Sequence, residues 1–356
     1  MAADEVKSTE DNRKNWGKWW GYLSTAVSII LILVGIYYVL AEVSLAELGY
    51  AFTQANIFLI FLCLSITILT LLLKVWRWQF LLATEQEAIP YAPLFWSLML
   101  GFYVNTILPF LRLGEIARMY ALNLQTGTGK MRTLSTLLLE KILELIFLGL
   151  TAVLMLPFIV LPREWRTSNP GIFLGGFAVV ALFCLYLLAF QTEWLQKRMH
   201  RLAGIMPTRI GDLIERLFVS GLSGLNALRS RRLSAAIFLL SSVLAITSVL
   251  APLALFAAFD FPLGIAEAAA LHVITSLALV PPSTPAKIGI FDGVVVFLLF
   301  QFGITDEAAI TAFTIVLHVV LVLPAILIGS IAASRTNWRW RQTATSPIFT
   351  TEESAP

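Results

Sequence analysis

Six times along this chain the residues run apolar for about twenty positions or more, and that feature limits its fold more than any other. A helix needs about 20 such residues to cross the roughly 30 Å hydrocarbon layer of a bilayer. The runs are residues 20–40, 54–74, 133–161, 171–191, 233–258 and 307–331. Only 13% of the residues are charged and 58% are hydrophobic. A soluble domain carries about 25% charge, so this chain has too little to coat a water-facing surface. The reading is an all-α integral membrane protein, which excludes an ordinary soluble enzyme.

Two further apolar stretches are interrupted. Residues 92–122 are broken between Asn105 and Glu115, with Pro109, Arg112 and Gly114 in the break. Residues 264–302 are broken by Pro281, Pro282, Ser283, Thr284 and Pro285, then Lys287 and Gly289. Each flanking arm is too short to span comfortably, so each stretch reads as a re-entrant hairpin of two half-helices. Kinked full spans, making eight in all, are the alternative.

The basic residues set the orientation. They cluster in the N-tail (Lys7, Arg13, Lys14, Lys18), at the end of the second span (Lys74, Arg77), in residues 192–232 and in the C-tail. Segments 41–53, 259–263 and 301–306 carry none. Six spans with both termini cytoplasmic satisfy this bias everywhere but the mixed loop 162–170, with Arg163 and Arg166, and Trp76 and Trp78 then fall at a cytoplasmic headgroup belt. Each half reads span, span, hairpin, span, with hairpins entering from opposite sides. Such an inverted repeat points to a transporter site between the interrupted segments. The organisation is an N-tail at 1–19, one membrane domain at 20–332 with repeats at about 20–161 and 171–332, and a C-tail at 333–356. Residues 208–229 place Ile210, Leu213, Leu217 and Leu225 along one helical stripe, as in an interfacial helix joining the halves.

Charged residues at membrane depth face the bundle interior and pair with one another. In the first hairpin the candidates are Asn105, Arg112, Glu115 and Arg118. A planar guanidinium suits a phosphate or carboxylate, and an internal Arg–Glu clamp is the other reading. Glu140 and Glu144, four apart, share a face of the next span, and one of them is expected to pair with Arg112 or Arg118; a helix that begins later would instead leave Glu140 and Lys141 in the headgroups. The second hairpin offers Ser283, Lys287 and Asp292, the last able to pair with Lys287 or to cap the following half-helix. His272 and His318 lie in apolar helices and read as neutral core residues or as a proton relay. Cys63 and Cys184 sit within apolar runs as packing residues. Phosphate-binding Gly-rich loops, zinc-protease motifs and nucleophile elbows are absent from the sequence, and no cofactor or metal is implied. The scattered basic residues are topological signals and imply no nucleic-acid partner.

The segment from Asn105 through Pro109, Arg112, Gly114 and Glu115 to Arg118 resembles the signature of the lysylphosphatidylglycerol synthase transmembrane region family, also called flippase-like domain proteins. Segments Leu73–Leu82, Glu140–Glu144 and Pro282–Asp292 resemble further family elements in order, and the likeness covers about residues 20–332. Where the family usually has Pro-Gly-Gly, this chain has Pro285, Ala286 and Lys287, and Asp292 replaces the commoner Glu. The soluble aminoacyl-transfer domain of full-length synthases is not expected in the short C-tail, so the resemblance does not imply synthesis of an aminoacyl lipid.

What the resemblance implies is movement of a modified or polyprenyl-linked anionic lipid across the plasma membrane of a prokaryote. The headgroup would lie between the hairpins, near Arg112, Arg118 and Lys287. The expected partners are the bilayer, a membrane lipid substrate and a lipid-modifying enzyme. A transferase acting on a polyprenyl-phosphate sugar, or a scaffold for lipid-modifying enzymes, are the competing readings.

Overall fold

The computed structural model describes residues 45–83, 89–108, 113–155, 230–280 and 284–336. Within them are nine α-helices and no strand: α1 (Leu45–Gln54), α2 (Ile57–Leu82), α3 (Tyr91–Ile107), α4 (Leu113–Thr126), α5 (Lys130–Met155), α6 (Arg231–Ala258), α7 (Ile265–Ala278), α8 (Ile290–Gln301) and α9 (Glu307–Arg335). A 3₁₀ turn, Pro285–Lys287, separates α7 from α8. The predicted spans at 20–40 and 171–191, the linking helix at 208–229 and nearly all of both tails lie outside the described residues.

Helices α2, α6 and α9 are long and apolar enough to cross a membrane. Their outward faces carry large apolar side chains, among them Phe58, Leu239 and Leu327, as a lipid-facing surface requires. Helix α5 matches them in length but carries Glu140, Lys141 and Glu144 within it. The start of α2 is capped by Asn56, whose side-chain oxygen accepts from Phe58 N at 3.0 Å. Asp306 caps α9 in the same way, accepting from Ala309 N at 2.9 Å. Two expectations are corrected. The second span runs to Leu82 rather than ending near residue 74, so Lys74, Arg77 and Trp78 are inside the helix. Segment 41–53, read only as a connection, contains α1.

The two interrupted stretches are helix pairs whose arms pack together, α3 on α4 and α7 on α8. In the first, the arms approach at two glycines: a Cβ on Gly114 would stand 2.1 Å from the Gly101 carbonyl oxygen. Among lipid tails there is no hydrophobic drive for helices to associate, and close approach at small residues supplies the packing instead. Gly329 plays this part between α9 and α3, lying against Tyr103 and the Met99 carbonyl.

The packing is reciprocal between the halves. Helix α3 of the first hairpin lies on α9, the last span of the second half, and α7 of the second hairpin lies on α5. Likewise α2 touches α9 while α6 touches α5, and α2 and α6 form the largest helix–helix seam among the described helices. That pattern is what a two-fold relation between α2–α5 and α6–α9 produces. The Asn56 N–H donates to the Ala258 carbonyl at 2.8 Å, which sets the start of α2 beside the end of α6. Helices α2 and α6 therefore run antiparallel. Arg132 donates to the Leu82 carbonyl at 2.7 Å, placing the start of α5 beside the end of α2, so the first hairpin is inserted from that side. Phe313 of α9 stacks on Phe256 of α6 at 5.4 Å, which puts the second hairpin's mouth on the other side.

Candidate functional site

Helix periodicity places Glu140 and Glu144 on one face of α5, and two neighbouring helices deliver cations to that face. From α2 come Lys74 and Arg77, and from α4 comes Arg118. Arg118 Nη2 stands 2.9 Å from Glu140 Oε2. Arg77 lies between the carboxylates, 3.6 Å from Glu140 and 3.3 Å from Glu144. Lys74 reaches Glu144 at 3.2 Å, and Lys141 reaches its other oxygen at 2.9 Å. The side chains of Arg77 and Glu140 are only 2% and 3% exposed, so this pair has given up nearly all its water. Breaking such a pair from one side leaves a buried charge uncompensated, which costs about 3–5 kcal/mol.

Trp78 forms the floor. Its indole N–H donates to the Thr136 hydroxyl at 3.1 Å, and the Arg118 guanidinium lies 3.6 Å from its ring centroid. The ring was expected in a headgroup belt, yet it is fully buried, because a desolvated arginine on α4 needs its face. Trp76, two residues earlier, is 51% exposed and remains on the surface. Lys74 and Arg77 were likewise read as topological signals. Their pairing with α5 carries them inward, and the signal that could have found them is their spacing, three apart on one helical face.

The tip of the first hairpin is held by Asn105. Its side-chain oxygen accepts from Gly114 N at 2.8 Å and its amide donates to Glu115 at 3.2 Å. This satisfies a backbone donor at the start of α4 where no water need reach it. Of the predicted site residues, the structure therefore joins Arg118, Glu140 and Glu144 in one cluster, with Asn105 and Glu115 at the adjoining tip. Arg112 and Ser283 lie outside the described residues.

Lys287 and Asp292 belong to a separate centre, the second turn. Asp292 caps α8, accepting from Gly289 N at 2.9 Å, and its other oxygen meets His318 Nδ1 at 2.6 Å. The second turn packs against the first hairpin, since the Pro285–Lys287 turn rests against α3. His272 of α7 lies within electrostatic reach of Lys74 and Glu144, so the second hairpin's first arm borders the charge cluster.

Charge counting says what the cluster accepts. Lys74, Arg77, Arg118 and Lys141 face two carboxylates, Glu140 and Glu144, and adding Glu115 still leaves an excess of positive charge. Among the described residues, the buried Nε–H groups of Arg77 and Arg118 have no hydrogen-bond partner. Buried donors of that kind are rare and suit an acceptor-rich anion.

Compared with known families, residues 25–329 match the model described as Lysylphosphatidylglycerol synthase TM region. No curated protein and no solved structure matches the chain.

Proposed function

Because the chain belongs to the Lysylphosphatidylglycerol synthase TM region family, a membrane region with a lipid-related role, we propose that it translocates an anionic lipid between the leaflets of the cell membrane. The observation that carries this reading is the buried cluster on α2, α4 and α5, with its surplus of cations and unpartnered guanidinium donors. A phosphate or carboxylate headgroup takes up those donors while the acyl chains stay among lipid. With the site empty, Glu140 and Glu144 neutralise the arginines and keep the cations from being stranded. The inverted packing of the two halves supports alternating exposure of such a site to the two sides by rocking of one half against the other.

The test is lipid exchange in vesicles. Purified protein is reconstituted with headgroup-labelled phosphatidylglycerol, phosphatidylcholine or a polyprenyl phosphate, and the labelled fraction reached by an external reductant is followed in time. The expected result is faster exchange of the anionic lipids than of phosphatidylcholine. Arg77→Lys and Glu144→Gln, checked for insertion and helicity, are expected to slow that exchange. Exchange at the same rate for all headgroups, or none from folded protein, would count against the reading.

A further inference from the structure

We propose that His318 and Asp292 form a proton-binding site that latches the second hairpin turn, so that one proton decides how that turn is held. The idea rests on the translocation reading only for its use, as the step that would tie lipid movement to a proton.

The chemistry follows from two contacts. His318 Nε2 stands 3.0 Å from the Ala286 carbonyl oxygen, which can only accept, so that nitrogen carries a hydrogen. His318 Nδ1 stands 2.6 Å from Asp292 Oδ1, and one more proton must lie between them, on nitrogen or on oxygen. Imidazolium with carboxylate and imidazole with carboxylic acid satisfy both contacts equally. Once that proton leaves, a neutral ring has one N–H for two acceptors. A nitrogen lone pair then faces an oxygen lone pair, and one contact opens. The arrangement thus holds one exchangeable proton. The side chains of His318 and Asp292 are 14% and 29% exposed, which leaves water a route to it.

What the latch holds is a turn under strain. Ala286 and Lys287 have φ of 53° and 67°, a left-handed conformation that costs a residue with a side chain about 1–2 kcal/mol. The Thr284 hydroxyl donates to the Ile288 carbonyl across the same turn. His318 grips it from both sides, at Ala286 before the strained residues end and at Asp292 after them. Release of either grip lets the turn relax against α3, the arm whose Asn105 braces the first hairpin.

The ionisable surroundings are few. Asp292 is the charged residue of α8, and Lys287 stands exposed in the turn itself. Among the described residues, α3 offers tyrosines and no charge, α6 carries Arg231 and Arg232 in its first turn, α7 (packed on α8) carries Glu267 and His272, and α9 itself carries Glu307 and Arg335 at its ends. Lys74 and Arg77 of α2 are paired with Glu144 and Glu140. Asp292 is in ion-pair contact with the imidazole, so the proton's gain or loss changes the charge of that pair directly.

A nitroxide label at Ile290→Cys, with Cys63→Ala and Cys184→Ala, reports the turn in phosphatidylglycerol–phosphatidylcholine vesicles. Its spectrum is followed from about pH 5 to about pH 9. Two components are expected, the mobile one growing with pH, their ratio changing about tenfold per pH unit near the midpoint as one proton requires. Asp292→Asn keeps the latch shut without a proton, since its amide donates to Nδ1 while its oxygen accepts from Gly289 N. That variant is expected to show the low-pH spectrum throughout, and His318→Ala the high-pH spectrum throughout. An invariant wild-type spectrum, or a transition that survives in Asp292→Asn, overturns the proposal. The label needs no lipid movement. A pH transition without lipid exchange would keep the latch and sink the translocation reading, whereas exchange without a transition would sink the latch alone.

Discussion

The two hairpins pack reciprocally, α3 on α9 and α7 on α5, yet different physics holds each one. The first is held by space and charge. Its arms meet at Gly101 and Gly114, its tip is tied by Asn105, and Arg118 is locked between Glu140 and the face of Trp78. The second is held by backbone conformation and a single titratable grip, with left-handed Ala286 and Lys287 pinned by His318 and Asp292. A buried ion-pair network is stiff, because every partner removed strands another. A strained turn under one latch is responsive, because one proton suffices to change it. Related scaffolding is thus held by buried ion pairs in one half and by a strained, latched turn in the other.

That contrast can be broken by experiment. The largest effect is expected for Glu140→Gln, which leaves Arg118 without its carboxylate and should lower stability by about 3–5 kcal/mol. The neutralising change in the second hairpin, Asp292→Asn, should cost less than about 1 kcal/mol because every contact has an amide substitute. Detergent-solubilised protein, unfolded by heat and followed by helical circular dichroism, measures both, and equal losses would erase the distinction. Next comes Gly114→Ala, whose Cβ has no room beside the Gly101 carbonyl, with an expected loss of about 1–3 kcal/mol. At Gly289 a Cβ would meet nothing within 4 Å, but φ is 87°, so Gly289→Ala should lose about 1–2 kcal/mol through conformation alone. A spacious substitution that proved harmless there would remove strain from the account. The smallest effect is a gain. Ala286→Gly should stabilise the turn by less than about 1 kcal/mol, since relief of the left-handed strain is partly offset by glycine's greater freedom when unfolded. It should also weaken the dependence of the turn on His318, which the label at position 290 would register as a smaller pH-driven change.

Much of this was legible in the residues. Among the described residues, apolar runs gave the long helices, because a membrane leaves little choice but helix, though the second extends past its run to Leu82. The breaks at 105–115 and 281–289 marked both hairpins, since Pro, Gly and Asn interrupt the apolar pattern there. The four-residue spacing of Glu140 and Glu144 gave one face of the cluster. Its other face was hidden, because Lys74 and Arg77 near the end of an apolar run look like headgroup anchors until a facing carboxylate is known. His318 was equally opaque: an isolated histidine in an apolar helix says nothing of an aspartate 26 residues earlier. The substitution of Ala286 and Lys287 for the family's paired glycines was visible as a departure. Its meaning required the backbone angles, which show that glycine is the residue those positions favour.

The α2–α6 seam has the form of an isologous interface, the kind two identical subunits make, folded here into one chain. Each half offers the other the patch it receives, and the pair lies on the axis that relates them. A turn about such an axis displaces distant atoms most and those on the axis least. Rotation of one half against the other about that axis would therefore disturb this seam least.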